Sequence, residues 1–178
     1  IFVRGRQQYQ ACNWTIPSDA SSASYFFVLA AITGKKLRFK NLSFKSHQSD
    51  LGLIYLLEQM GAQLTLKQNE ITLESTGSLK AIETKMTDMS DVFPSLAICA
   101  LFAKGKTIIR GVEHCRFKEC DRIKAMCTEL RKLGAKVEEF FDGLSIEAPK
   151  SFPTNDIFIH TYDDHRIAMA FSIAKTRL

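Results

Sequence analysis

Ser18 to Phe39 reads SDASSASYFFVLAAITGKKLRF, and Ser90 to Gly111 reads SDVFPSLAICALFAKGKTIIRG. Each stretch opens on an Asp, runs through an apolar helix rich in small residues, stops at a Gly and leads through lysine into a strand. Asp19 and Asp91 lie 72 residues apart, and Gly34 and Gly105 lie 71 apart. So constant an offset marks an internal repeat.

The match extends outward. SDLGLIYLLEQMGAQLTLKQNEITLES, from Ser49, aligns with CDRIKAMCTELRKLGAKVEEFFDGLSIEAP, from Cys120; Asp50 and Asp121 are 71 apart, and Gly61 and Gly134 are 73 apart. A third copy opens within DDHRIAMAFSIAKTRL, where Asp164 follows Asp91 by 73 residues, and it stops at Leu178. The unit is therefore expected two and a half times.

Pattern gives the unit a coarse structure. A first helix, about Ser21–Ile32, Pro94–Ala103 and His165–Lys175, is apolar nearly all round and so should be buried. A second carries a one-sided stripe, Ile123, Met126, Leu130 and Leu133 in one copy and Leu53, Leu57 and Met60 in the other, so its far side should face solvent. Gly61 and Gly134 stand where a helix C-terminus wants left-handed backbone. A hairpin follows, plainest at KVEEFF-DG-LSIEAP, with Asp142-Gly143 as the expected turn. With the strand between the helices, the cyclic order is β-α-β-α-β-β: an α/β fold with buried helices inside and sheets outside.

Composition agrees with one globular α/β domain over 1–178. Of 178 residues, 46% are hydrophobic and 24% charged, enough for a full core. The net charge of +5 would suit nucleic acid, but it is spread along the chain rather than gathered in runs with aromatic neighbours, and a site for small anions fits it equally well. Five cysteines, with no CxxC pair, read as reduced thiols of a cytoplasmic protein. No apolar run is long enough for a membrane span. Ile1 is not an initiator Met and the third unit is cut at Leu178, so a piece of a longer protein is expected.

Equivalent positions of repeated units should cluster, and here these are the helix openings SDASS, SDVFPS and YDDHR. Asp19, Asp91 and Asp164 there are each a good N-cap, or each part of an anion site at a helix start. Arg166 works against the helix dipole, which points to anion binding. FKECDRIKAMCTEL, Phe117 to Leu130, crowds Lys118, Glu119, Asp121 and Arg122 into the first turn of the middle unit's exposed helix. Either these are ion pairs of a solvated helix start, or Lys118 and Arg122 hold an acidic substrate while Glu119 moves a proton. FKSHQSD, the counterpart in the first unit, lacks the Glu and the Arg, so the repeat folds without them. AKGKT reads as a strand entry, His47 and His160 as structural or surface residues, and Trp14 and the Phe residues as core.

KECDRIKAMCTELRKLGAKVEE, DMSDVFPSLAICALFAKGKT, SDASSASYFF and YDDHRIAMAFS together resemble the 5-enolpyruvylshikimate-3-phosphate synthase family, the 3-phosphoshikimate 1-carboxyvinyltransferases, in order and from near Ile1 to Leu178. The resemblance implies an enolpyruvyltransferase-like fold of two similar domains, each of three β-α-β-α-β-β units, with substrates in the cleft between them. This chain would be most of the domain formed largely by the C-terminal half, and its partner would be the missing N-terminal-half domain.

The implied reaction belongs to the shikimate pathway to chorismate and the aromatic amino acids, and is a glyphosate target. It moves the enolpyruvyl group of phosphoenolpyruvate to the 5-hydroxyl of shikimate 3-phosphate and releases phosphate, with no metal and no cofactor. By motif, Asp91 matches the carboxylate on the shikimate hydroxyls and the proposed proton acceptor, and Glu119 the proposed proton donor. Lys118 matches a shikimate-phosphate ligand, Arg122 and Arg166 match the phosphoenolpyruvate clamp, and His165 lines the pocket. Asp121 is structural, since Asp50 repeats it.

Three positions depart from the family pattern: His114 stands where an Asn is usual and could still donate to substrate, Asp163 replaces the frequent Asn before DHR, and Ser18 replaces a Gly. Rival readings are the sister enolpyruvyltransferase acting on UDP-N-acetylglucosamine and a nucleic-acid-binding module of related repeats. Alone, the chain is expected to be nearly inactive, because one wall of a cleft cannot surround its substrates.

Overall fold

A computed structural model describes residues 2–178, leaving Ile1 outside. After an extended N-terminal arm, α1 (Ala20–Thr33) runs into β1 (Lys36–Lys40). A 3-10 turn (Ser49–Gly52) enters α2 (Leu53–Gln59), and β2 (Gln63–Lys67) and β3 (Glu70–Glu74) form a hairpin. Two short strands, β4 (Leu79–Lys80) and β5 (Glu83–Lys85), lead to α3 (Phe93–Leu101), β6 (Ala103–Lys104) and β7 (Lys106–Arg110). Then come α4 (Arg122–Lys132), β8 (Lys136–Phe140), β9 (Gly143–Glu147) and, after an irregular stretch, α5 (His165–Ala174).

The middle unit, β5-α3-β7-α4-β8-β9, has the expected order. Its sheet runs β5-β7-β9-β8, with β5 parallel to β7 and the other pairs antiparallel. The first unit's sheet, β1-β3-β2, repeats the antiparallel part. A separate parallel pair, β4 with β6, links the two units.

Helices α1, α3 and α5 pack on one another, and every residue of α3 is buried. Their small residues permit the close approach. Ser24 of α1 and Ser95 of α3, equivalent across the repeat, hydrogen-bond at 3.0 Å inside the core. One apolar cluster runs from Ala20 to Ala174 and takes in Ile71 and Leu73 of one sheet and Leu144 and Ile146 of the other. The helices are thus inside and the sheets outside.

Three sequence expectations shift. Trp14, read as core, is exposed, and so are Phe2, Phe26, Phe117, Phe141 and Phe158, although Phe27 and Phe93 are buried as expected. The helix stops Gly61 and Gly134 have φ of 112° and 85°, as expected. The second hairpin, however, closes at Phe140 and Gly143, so Phe141-Asp142 is its loop and Gly143 is already strand. Gly143 is needed for a different reason: a Cβ there would overlap the Ile109 carbonyl of β7. The exposed helix of the first unit also shortens, its first turn being the 3-10 turn at Ser49–Gly52.

Candidate active site

The three helix-start acids do different work. Asp19 caps α1, accepting from the backbone N–H of Ser21 at 3.1 Å and of Ser22 at 3.0 Å. Asp164 caps α5, accepting from Arg166 N–H at 2.8 Å. Asp91 caps nothing: it lies in a 3-10 turn, Ser90–Val92, two residues before α3, and Val92 is the capping position. The residue three beyond Asp91 is Pro94, which has no N–H to give. Its carboxylate is left free for side chains.

Those side chains are cations. Arg166 reaches Asp91 Oδ2 at 2.8 Å, Arg122 reaches Oδ1 at 3.0 Å, and Lys118 stands 3.5 Å from Oδ1. Arg122 is the hub. Its side chain is 1% exposed, and besides Asp91 it binds Glu119 through Nη2 at 2.6 Å and Asp164 through Nε at 2.7 Å. Charge-assisted contacts of this length offset the desolvation of a buried guanidinium.

The fold sets this geometry locally. Asp121 caps α4 through Lys124 N–H at 3.0 Å and is gripped by Arg116 at 2.7 Å, which fixes the turn that presents Lys118 and Glu119. On the other side, Tyr162 and Asp163 are both left-handed, with φ of 56° and 53°, and bring Asp164 onto Arg122. Glu129 of α4, wholly buried, holds that bend: it accepts from the Tyr162 hydroxyl at 2.8 Å, from His160 N–H at 3.1 Å and from Lys132 at 2.7 Å.

The field follows the contacts. Partial burial works to raise the Asp91 carboxyl, but Arg166, Lys118 and Arg122 together outweigh it and hold it below its ordinary 3.8. Burial likewise opposes ionisation of Asp164 and loses to the Arg122 hydrogen bond and the Arg166 N–H. Both acids are anions at neutral pH, and Arg122 stays charged. Cys115 and Cys120, beside the cluster, are pushed up to about 11, first by burial, so neither is a nucleophile at neutral pH.

Asp91, Lys118, Glu119, Arg122 and Arg166 are thus brought together. His114 and His165 are not tied in: among the described residues neither makes an ion pair, and His165 is exposed at the first position of α5. Asp163 is exposed and outside the ion pairs too. Glu129 extends the site beyond the sequence reading, and Asp164, which the sequence offered as a cap or as part of an anion site, enters it as both the α5 cap and an Arg122 partner. Among the described residues no group of three or more His, Cys, Asp or Glu is arranged to hold a metal. Nor is any helix among them long and apolar enough to cross a membrane.

The family model for EPSP synthase (3-phosphoshikimate 1-carboxyvinyltransferase) matches residues 1–178. A curated 3-phosphoshikimate 1-carboxyvinyltransferase of Trichormus variabilis is 46% identical over 171 residues, covering 96% of this chain and 39% of its own length. One from Methanocaldococcus jannaschii is 38% identical, covering 98% of this chain and 40% of its own. The solved structure of EPSP synthase from Acinetobacter baumannii superposes with a TM-score of 0.77 at 36% identity, over 91% of this chain and 40% of that one. The chain spans about 40% of the length of the curated relatives it matches.

Proposed function

The chain belongs to the EPSP synthase (3-phosphoshikimate 1-carboxyvinyltransferase) family, and from that premise we propose that it serves as one wall of an enzyme transferring the enolpyruvyl group of phosphoenolpyruvate to the 5-hydroxyl of shikimate 3-phosphate. The other wall is the N-terminal-half domain of the same protein, whose place is the cytoplasm; the partners are the two anionic substrates. Residues 1–178 then form most of a single domain.

The observation that carries this reading is the sharing of one buried guanidinium by two partly exposed carboxylates: Arg122 holds Asp91 on Nη1 and Glu119 on Nη2. Enolpyruvyl transfer needs two proton carriers at one centre. As the 5-hydroxyl oxygen bonds to C2 of phosphoenolpyruvate, its proton passes to the Asp91 carboxylate, while C3 takes a proton from Glu119, which enters the step as the carboxylic acid. Elimination then returns a proton from C3 to the Glu119 carboxylate, and phosphate leaves C2 with the proton held by Asp91, restoring the enol ether and both starting states. Arg122 fixes the separation of the two acids and keeps both supplied with a hydrogen-bond donor.

Lys118 and Arg166, more accessible than Arg122, are the cations best placed to meet the substrates' negative groups. His114 and His165 complete the set as substrate contacts formed on closure. Two proton carriers and these cations make a cofactor unnecessary to the scheme.

The test is turnover. The full-length protein carrying this chain, given phosphoenolpyruvate and shikimate 3-phosphate, should release phosphate, and this chain alone should release almost none. Full-length protein that is folded and silent with this pair would end the reading; turnover of UDP-N-acetylglucosamine instead would replace it with the sister reaction.

A further inference from the structure

The cluster contains as many acids as bases. Lys118, Arg122 and Arg166 face Asp91, Glu119 and Asp164, and the ion pairs among them leave no cation without a carboxylate. A site built to take an anion therefore already holds one. Of the three acids, Asp164 is buried and spent on Arg122 and the α5 cap, and Glu119 pairs, among the described residues, with Arg122 alone. Asp91 alone is shared by all three cations, at 2.8, 3.0 and 3.5 Å, and it has no capping duty.

We propose that Asp91 is an internal competitor for the anion site: its carboxylate occupies Arg166 and Lys118 in the unliganded protein, and a phosphate- or carboxylate-bearing ligand binds by taking those two cations from it. Arg122 stays behind, since its side chain is 1% exposed and Asp164 grips it at 2.7 Å. Lys118, with a side chain 35% exposed, and Arg166, 15% exposed, are the two that an incoming ligand can reach from solvent.

The exchange has a chemical consequence. The groups facing Asp91 are Lys118 and Arg122 from the α4 side, Arg166 from α5, Asp50 from the turn before α2, and Cys115 from the turn before α4. With Lys118 and Arg166 diverted to the ligand, Asp91 keeps only Arg122 and gains a second anion as neighbour. By reciprocity, a ligand that competes with the ionised carboxylate makes that carboxylate a stronger base. The proton acceptor is thus armed by the arrival of the substrate's charge. This consequence rests on the proton-acceptor role given to Asp91 above; the competition itself does not.

The probe is inorganic phosphate, titrated into this chain by NMR at neutral pH. Asp91→Asn keeps the shape and removes the charge. It should bind phosphate at least about tenfold more tightly than the wild type, opposite to the loss expected if Asp91 were an ordinary ligand-binding group. Equal or weaker binding by a folded variant overturns the proposal. Should the variant not fold, the wild type decides: saturating phosphate should raise the titration midpoint of the Asp91 side-chain carboxyl carbon, and an unmoved midpoint overturns the proposal. Neither result depends on turnover, so failure here leaves the reaction to its own test.

Discussion

The first and middle units share a scaffold and differ at one end of it. Their hairpins pair in the same register, Lys67 with Glu70 and Phe140 with Gly143 at the tips, and their first helices pack side by side. At the helix starts, Lys118, Glu119 and Arg122 of the middle unit stand 71 residues after His47, Gln48 and Leu51 of the first. Gln48 is a neutral stitch: it accepts from Ala20 N–H at 2.7 Å and donates to the Ser18 carbonyl at 2.9 Å. Leu51 is plain core, 4% exposed. The same fold is therefore made once with an amide and a leucine and once with an acid and an arginine. What the scaffold does not require, the site does.

Replacing each middle-unit residue by its first-unit counterpart tests that statement directly. Arg122→Leu should have the largest effect, because the leucine fits the repeat but not its neighbours. Asp164 would be left buried and unpaired, costing ~3–5 kcal/mol of stability, or about 10 °C in the melting of this chain. A variant that melts with the wild type would mean that the repeat, and not the ion network, sets stability here.

Glu119→Gln copies the first unit without leaving a buried charge alone, since the Glu119 side chain is 47% exposed. Melting should hardly move. In the full-length protein kcat should fall at least about a hundredfold, as for a lost proton donor. A drop in stability with turnover intact would return Glu119 to the role of an ion-pair partner.

The hairpins offer a smaller test of the opposite kind, a place where the middle unit is the more constrained. Gly143→Ala drives a Cβ into the Ile109 carbonyl and should cost about 1–3 kcal/mol. Glu70→Ala, at the matching position, removes only loose pairs to Arg38 and Lys67 and should cost no more than about 1 kcal/mol. Equal losses would show that the two sheets pack alike at this corner.

Sequence alone carried the repeat because it is written twice in apolar spacing and glycine stops: Gly61 and Gly134 are left-handed where the pattern requires it. Asp142-Gly143 misled because a Gly in a turn-like dipeptide does not say whether it is there for φ or for room. The meeting of Asp91 with Arg166 followed from equivalence between units, whereas Lys118, Glu119 and Arg122, on the second helix, were joined to them by the family resemblance. Glu129 was illegible, since its partners His160 and Tyr162 come from an irregular segment with no counterpart pattern. Asp164 read as a cap or as part of an anion site, and it is the cap; that the same carboxylate also anchors Arg122 depends on a bend at Tyr162 and Asp163 that no periodicity announces.

The finest contrast is between two acids near one another, Asp50 of the first unit and Asp91 of the middle one, whose pKa shifts have opposite signs. Burial raises the Asp50 carboxyl above its ordinary 3.8, opposed by the Ser21 hydroxyl and helped by the charge of Asp91. The folded protein then holds that proton more tightly than the unfolded chain. Stability falls as pH rises from 3.8 through the raised value, and at neutral pH the charge of Asp50 is a cost. For Asp91 the contribution is present above 3.8 and lost as pH falls through its lowered folded pKa. Asp50→Asn keeps an acceptor for Ser21 and removes the half-buried charge. It should raise stability at neutral pH by no more than about 1 kcal/mol and abolish the decline just above 3.8, in denaturation curves taken on either side of that pH. A variant less stable at neutral pH would mean that the Ser21 contact, strengthened by the charge, outweighs desolvation; the first unit would then owe stability to Asp50 as well as to the Asp19 cap, and the contrast between the units would narrow to Arg122 and Glu119 alone.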